Sequence, residues 1–122
     1  GPVSLVLASE AFEAADSEFV AHKTTRRAHY DAALRPEGFD TVLWNERGEL
    51  TECTRGNLAL CLDGQWFTPA AACGLLPGVG REVALREGRL QEAVLTREHL
   101  RRAEALAFLN SLRGWLPATL LG

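Results

Sequence analysis

The chain has no methionine, one lysine and one tyrosine. It has three cysteines, Cys53, Cys61 and Cys73, and none forms a C-x-x-C pair. That count and spacing exclude a disulfide scaffold and favour reduced thiols, with a zinc or disulfide role as the minor alternative. His22, His29 and His99 are scattered, with no carboxylate–histidine pattern of the metalloprotease kind, so no metal is expected and His22 and His29 read as ordinary polar side chains. Basic residues are not in excess. Thirteen Lys+Arg against sixteen Asp+Glu leave a formal charge of −3 and a pI near 5.6, which disfavours a nucleic-acid partner. No apolar run approaches the roughly 18 residues of a membrane span. Gly1 to Ala8 lack the basic start of a signal peptide, so the expected compartment is the cytosol, with no membrane partner. There is no G-x-S-x-G elbow and no Walker loop. The missing initiator Met reads as the mark of a piece of a longer protein.

What is present fits one domain: 122 residues, 47% hydrophobic and 24% charged. Val3 to Ala8 is an apolar run that reads as a buried strand. Thr25 to Leu34 carries helix formers and stops at Arg35-Pro36-Glu37-Gly38. Thr41 to Trp44 and Leu50 to Cys53 flank the polar turn Asn45 to Gly48 and predict a hairpin. Asn57 to Leu62 predicts a further strand, followed by the turn Asp63-Gly64-Gln65 and a short strand Trp66 to Thr68 that Pro69 ends. Arg81 to Glu87 reads as a helix and Ala93 to Leu95 as a strand. Thr96 caps a short helix reaching Arg102, and Ala105 to Leu109 and Trp115 to Leu121 close the chain as strands. The expected fold is therefore α/β (α+β): a strand-rich mixed sheet or pseudo-barrel with about three short helices.

Leu75 to Gly80 is a Gly/Pro-rich turn feeding a helix. Such a turn can cradle a phosphate, because N–H groups at a helix start are unsatisfied and carry partial positive charge; alone, it reads equally as a plain strand-to-helix turn. Taken in order, the motifs are more specific. They are His22-Lys23-Thr24-Thr25-Arg26-Arg27, the stretch Gly48 to Leu58, Phe67-Thr68-Pro69, the stretch Gly74 to Arg81, and Phe108 to Gly114. This series resembles the fold-type IV pyridoxal-phosphate enzymes, the class IV aminotransferase family, across about Val3 to Leu121. The K-T-T-x-R and N-S-L-R-G stretches are most similar to the 4-amino-4-deoxychorismate lyase branch, above all the lyase module fused behind an aminodeoxychorismate synthase.

The resemblance implies a cofactor, pyridoxal 5'-phosphate, and a role for each matching residue. Lys23 would hold the cofactor as a Schiff base and shuttle protons. Glu52 would keep the pyridine nitrogen protonated, although a glutamate on a strand otherwise reads as solvent-facing. The phosphate would lie against the backbone of Val79 and Gly80 and the Ser111 side chain, with Asn110 adjacent. Gly80 stands where related transaminases often carry a threonine hydroxyl. The implied reaction converts aminodeoxychorismate to p-aminobenzoate and pyruvate, a step of folate biosynthesis. A class IV amino-acid transaminase (branched-chain or D-amino acid) is the alternative, and an isolated domain without activity of its own the third reading. The family's enzymes are about twice as long, so residues 1–122 are expected to be the C-terminal large domain. Its partners would then be a small N-terminal domain or the fused synthase module, and a second copy as a homodimer.

Overall fold

The computed structural model describes residues 2–11 and 38–121. The helix expected over Thr25 to Leu34, together with His22, Lys23 and His29, lies outside the described residues. The described elements are β1 (Val3–Leu7), β2 (Asp40–Trp44), β3 (Leu50–Cys53), β4 (Asn57–Leu62), β5 (Gln65–Pro69), a single 3-10 turn (Ala71–Cys73), α1 (Val79–Arg86), β6 (Gln91–Ala93), α2 (Arg97–Arg102), β7 (Ala105–Asn110) and β8 (Gly114–Leu120).

The eight strands form one sheet in the order β3-β2-β1-β8-β7-β4-β5-β6. It is mixed: β1 runs parallel to β2 and β8, and β5 parallel to β6, while the other pairs are antiparallel. The sheet curls until its ends meet. The Leu50 N–H donates to the Leu95 carbonyl at 2.7 Å, and Glu49 bridges Thr96. The expected pseudo-barrel is the result, and the curl removes most of the open strand edge.

Two apolar clusters explain the unbroken hydrophobic runs. Leu58, Leu60, Leu106 and Phe108 point into the barrel with Leu5, Val42, Leu50 and Leu95. Ala59, Ala107 and Leu109, on the opposite faces of β4 and β7, pack against Ala84 of α1 and against Leu90. A strand covered on both faces loses the alternation of a half-exposed one. The alanines at 59, 84 and 107 let α1 sit close to the sheet.

The two-residue turn between β4 and β5 has positive φ at both Asp63 and Gly64, the backbone that matches the twist of a tight hairpin. Two elements are displaced by two residues from expectation, and others by one, among them β5, which runs Gln65–Pro69 and so includes the proline expected to end it. The strand expected at Ala93 to Leu95 occupies Gln91–Ala93, because parallel register with β5 pairs Phe67 with Gln91 and Pro69 with Ala93. Leu95 instead turns inward, 2% exposed. The helix expected from Arg81 begins at Val79, since the extended backbone of Gly78 is its N-cap. In α2 the Thr96 N–H donates to His99 Nδ1 at 3.0 Å, a reciprocal cap with histidine in the usual place of glutamate. Among the described residues no helix is long and apolar enough to cross a membrane.

Candidate cofactor-binding site

Glu52 is the third residue of β3, a strand buried along its whole length. Its side chain is 3% exposed rather than solvent-facing, and Oε1 accepts the Leu76 N–H at 3.1 Å. A buried carboxylate thus touches the loop that leads into α1.

Asn57 holds the same loop from β4. Its Nδ2 donates to the Leu76 carbonyl at 3.0 Å, and its Oδ1 accepts the Gly78 N–H at 3.1 Å. The close approach explains the glycine: a Cβ at position 78 would lie 2.7 Å from Asn57 Oδ1. Beyond the clamp, the N–H groups of Val79 and Gly80 open the helix and have no intrahelical acceptor. Val79 is 68% exposed, and a Cβ at Gly80 would meet nothing within 4 Å. The helix start therefore faces open space.

Arg81 fixes this first turn from below. Its side chain is 1% exposed and pairs with Glu82 and Glu92, and Nη2 donates to the Pro69 carbonyl at 3.2 Å. Its Nε has no hydrogen-bond partner among the described residues. Glu92 also accepts the Ala71 N–H at 3.1 Å. That bond, with Arg81 second, holds its carboxyl below the usual range.

The third component is the turn between β7 and β8. Asn110 Oδ1 accepts the N–H groups of Leu112 (2.7 Å) and Arg113 (3.3 Å), and its Nδ2 donates to the Arg55 carbonyl at 2.7 Å. All three bonds go to backbone, so this amide organises the turn on which Ser111 stands exposed. Arg55 belongs to the turn between β3 and β4, which Asp40 holds in turn. That fully buried carboxylate accepts the N–H groups of Thr54 (3.1 Å) and Arg55 (2.9 Å) and the Thr54 hydroxyl. Gly56 completes the turn, where a Cβ would lie 2.5 Å from the Leu109 carbonyl.

Sheet register brings these parts to one end of the barrel. Asn57 pairs with Leu109, one residue before Asn110, and Glu52 lies five residues before Asn57. Of the residues singled out from the sequence, Glu52, Val79, Gly80, Asn110 and Ser111 gather here. Lys23 lies outside the described residues. Sequence reasoning missed Asn57, Asp40 and Arg81, which hold the parts in place. Asn57 left one signal, since asparagine is depleted in strands and here opens one; a buried Asp40 or Arg81 left none. Leu76 (51%), Val79 and Leu112 (92%) are exposed apolar side chains on these segments.

The family described as amino-transferase class IV matches residues 1–121. A Schizosaccharomyces pombe protein with the provisional name aminodeoxychorismate lyase is 31% identical over 121 residues, covering 92% of this chain and 52% of its own length. The chain thus spans about half of that curated relative. A crystal structure from Mesorhizobium loti, provisionally named an amino-acid aminotransferase, superposes with a TM-score of 0.86 at 40% identity, over 99% of this chain and 60% of that one. A Legionella pneumophila structure, provisionally named a 4-amino-4-deoxychorismate lyase, shares the fold at 23% identity and a TM-score of 0.75, over 99% of this chain and 48% of that one.

Proposed function

We propose that this chain, which belongs to the amino-transferase class IV family, is the cofactor-binding part of a pyridoxal-phosphate-dependent lyase that converts 4-amino-4-deoxychorismate to p-aminobenzoate and pyruvate. One observation carries the cofactor reading. The loop at Leu76 to Gly78 is tied at once to a buried carboxylate, Glu52, and to an open helix N-terminus. That donor set fits a group with a ring nitrogen to be kept protonated at one end and a phosphate at the other.

When bound, the cofactor supplies a ring that withdraws electrons from the carbon losing its proton. Glu52 holds a proton at the ring nitrogen, because a buried carboxylate beside it favours the charged form. The N–H groups of Val79 and Gly80 and the Ser111 hydroxyl bind the phosphate, aided by the partial positive charge of the helix start. Gly80 offers backbone only, so its open Cβ space leaves one contact fewer than a threonine would give. Lys23 carries the cofactor and moves the proton at the substrate carbon. Asn110 orients Ser111 and does so through backbone bonds alone.

The S. pombe relative and the N-S-L-R-G stretch Asn110 to Gly114 favour the lyase. The M. loti relative supports a second reading, amino-acid transamination, which uses the same Lys23 and Glu52. Under either reading residues 1–122 act as the C-terminal large domain of a longer enzyme. The exposed side chains of Leu76, Val79 and Leu112 are then covered by the remaining domain or a second copy, and the chain alone turns over slowly because water reaches its site.

The test begins with borohydride reduction after incubation with pyridoxal phosphate, followed by peptide mapping. Label at residue 23 is expected, and because Lys23 is the sole lysine the map is unambiguous. A longer enzyme that carries no label at residue 23 after the same treatment overturns the cofactor reading. Glu52→Gln is expected to keep the label while weakening the protonated-ring absorbance band. Given aminodeoxychorismate and an amino acid with a keto acid, the longer enzyme is expected to release p-aminobenzoate. Amino exchange without that release overturns the lyase reading.

A further inference from the structure

We propose that Arg113 is an anion-binding residue at the rim of this site, and that its anion is a carboxylate of the substrate. The inference rests on the lyase reading and adds a residue that recognises the substrate.

The ring of Phe39, just before β2, carries two guanidinium groups, Arg55 at 5.2 Å and Arg113 at 5.4 Å from its centroid. Its own position is fixed edge-on against Phe108 at 5.1 Å and 86°. The two cations are not equivalent. Arg55 lies 3.6 Å from the buried Asp40 carboxylate and donates to the Phe39 carbonyl. Arg113 has no carboxylate within ion-pair distance among the described residues, so of the two cations at this ring only Arg55 is paired. In a chain of net charge −3, this leaves a local positive charge beside Ser111, two residues away.

The placement suits recognition. An arginine held over a ring keeps its N–H edge free for a carboxylate, where it can donate two parallel bonds. The Arg113 backbone is held by Asn110, and its side chain is exposed at the turn. Aminodeoxychorismate carries two carboxylates, whereas an ordinary monocarboxylate amino acid carries one. The cofactor's phosphate already has the α1 N-terminus, so a separate cation at the rim answers the additional substrate charge.

The experiment is calorimetric titration of the chain with chorismate, which has the same two carboxylates and a hydroxyl in place of the amine. Inorganic phosphate serves as a second probe. Arg113→Gln is expected to weaken chorismate binding by about tenfold or more, while Arg113→Lys, which keeps the charge without the fork, loses about threefold. Phosphate affinity is expected to stay within about twofold in both variants, with circular dichroism unchanged. Equal chorismate affinity in wild type and Arg113→Gln overturns the proposal, as does a wild type that binds no chorismate at millimolar concentration. A loss shared equally by phosphate also overturns it, and gives Arg113 to the cofactor's anion. The lyase reading fails separately: absence of p-aminobenzoate release with Arg113-dependent chorismate binding removes the reaction and leaves the anion site.

Discussion

Replacing Asn57 tests the architecture of the site at its centre. The side chain is 4% exposed and makes two bonds to one loop, to the Leu76 carbonyl at 3.0 Å and from the Gly78 N–H at 3.1 Å. In Asn57→Ala the carbonyl of Leu76, a residue half exposed as a whole, finds water at little cost, while the Gly78 N–H loses a well-placed acceptor. A satisfied hydrogen bond contributes about 1 kcal/mol, and an unpaired buried donor costs about 1–3 kcal/mol. Discounting for partial access to water gives a loss of about 2 kcal/mol. With a urea slope of about 1–3 kcal/mol per molar, the unfolding midpoint falls by about 1 M. Asn57→Asp keeps the acceptor for Gly78 and gains about 0.3–1 kcal/mol from a negative charge at the helix start. Desolvation of a nearly buried carboxylate offsets that gain, so the two variants lose comparable stability. Affinity separates them. The aspartate places like charge beside the phosphate site, so inorganic phosphate and pyridoxal phosphate bind Asn57→Asp more weakly than Asn57→Ala, and both more weakly than wild type. An Asn57→Ala midpoint equal to wild type, or an aspartate variant that binds phosphate normally, would refute the clamp.

Two neighbouring glycines are expected to respond oppositely. Gly78→Ala drives a Cβ to 2.7 Å from Asn57 Oδ1 and should cost about 1–3 kcal/mol in urea unfolding. Gly80→Thr fills open space in a helix and should leave stability unchanged or raised by about 0.5 kcal/mol, with tighter phosphate binding from the new hydroxyl. Acid stability is expected to depend on Glu49, whose carboxyl is held below its ordinary value of 4.5 by hydrogen bonds from Asn45 and Arg47. Because the folded value is the lower one, the stabilisation is present above about pH 4.5 and fades as pH falls through the folded value. Glu49→Gln should flatten that acid limb in urea titrations between pH 3 and 5; an unchanged limb would place the acid sensitivity elsewhere.

The sequence by itself determined the elements and the chemistry within them. Apolar runs marked β1, β4 and β7, the polar stretch Asn45 to Gly48 marked a hairpin, and Thr96 marked a cap, because these signals are local. The family resemblance carried by the ordered motifs implied roles for Lys23, Glu52, Val79, Gly80, Asn110 and Ser111, which no local pattern around any one of them would have suggested. Tertiary structure alone decided what those residues touch. Whether Glu52 faces water or a loop depends on β3 being covered on both faces, which no window around Glu52 contains. That Asn57 meets Leu76 and Gly78, that Asp40 holds the turn at Thr54 and Arg55, and that Arg55 and Arg113 share Phe39 all follow from sheet register between segments far apart in sequence. The displaced strand β6 has the same cause: its own residues are exposed Gln91 and Glu92, and only the backbone of β5 makes them a strand. Local propensity is set by a residue and its neighbours, whereas the alignment of a helix start, a buried carboxylate and a hydroxyl-bearing turn is set by how the sheet closes.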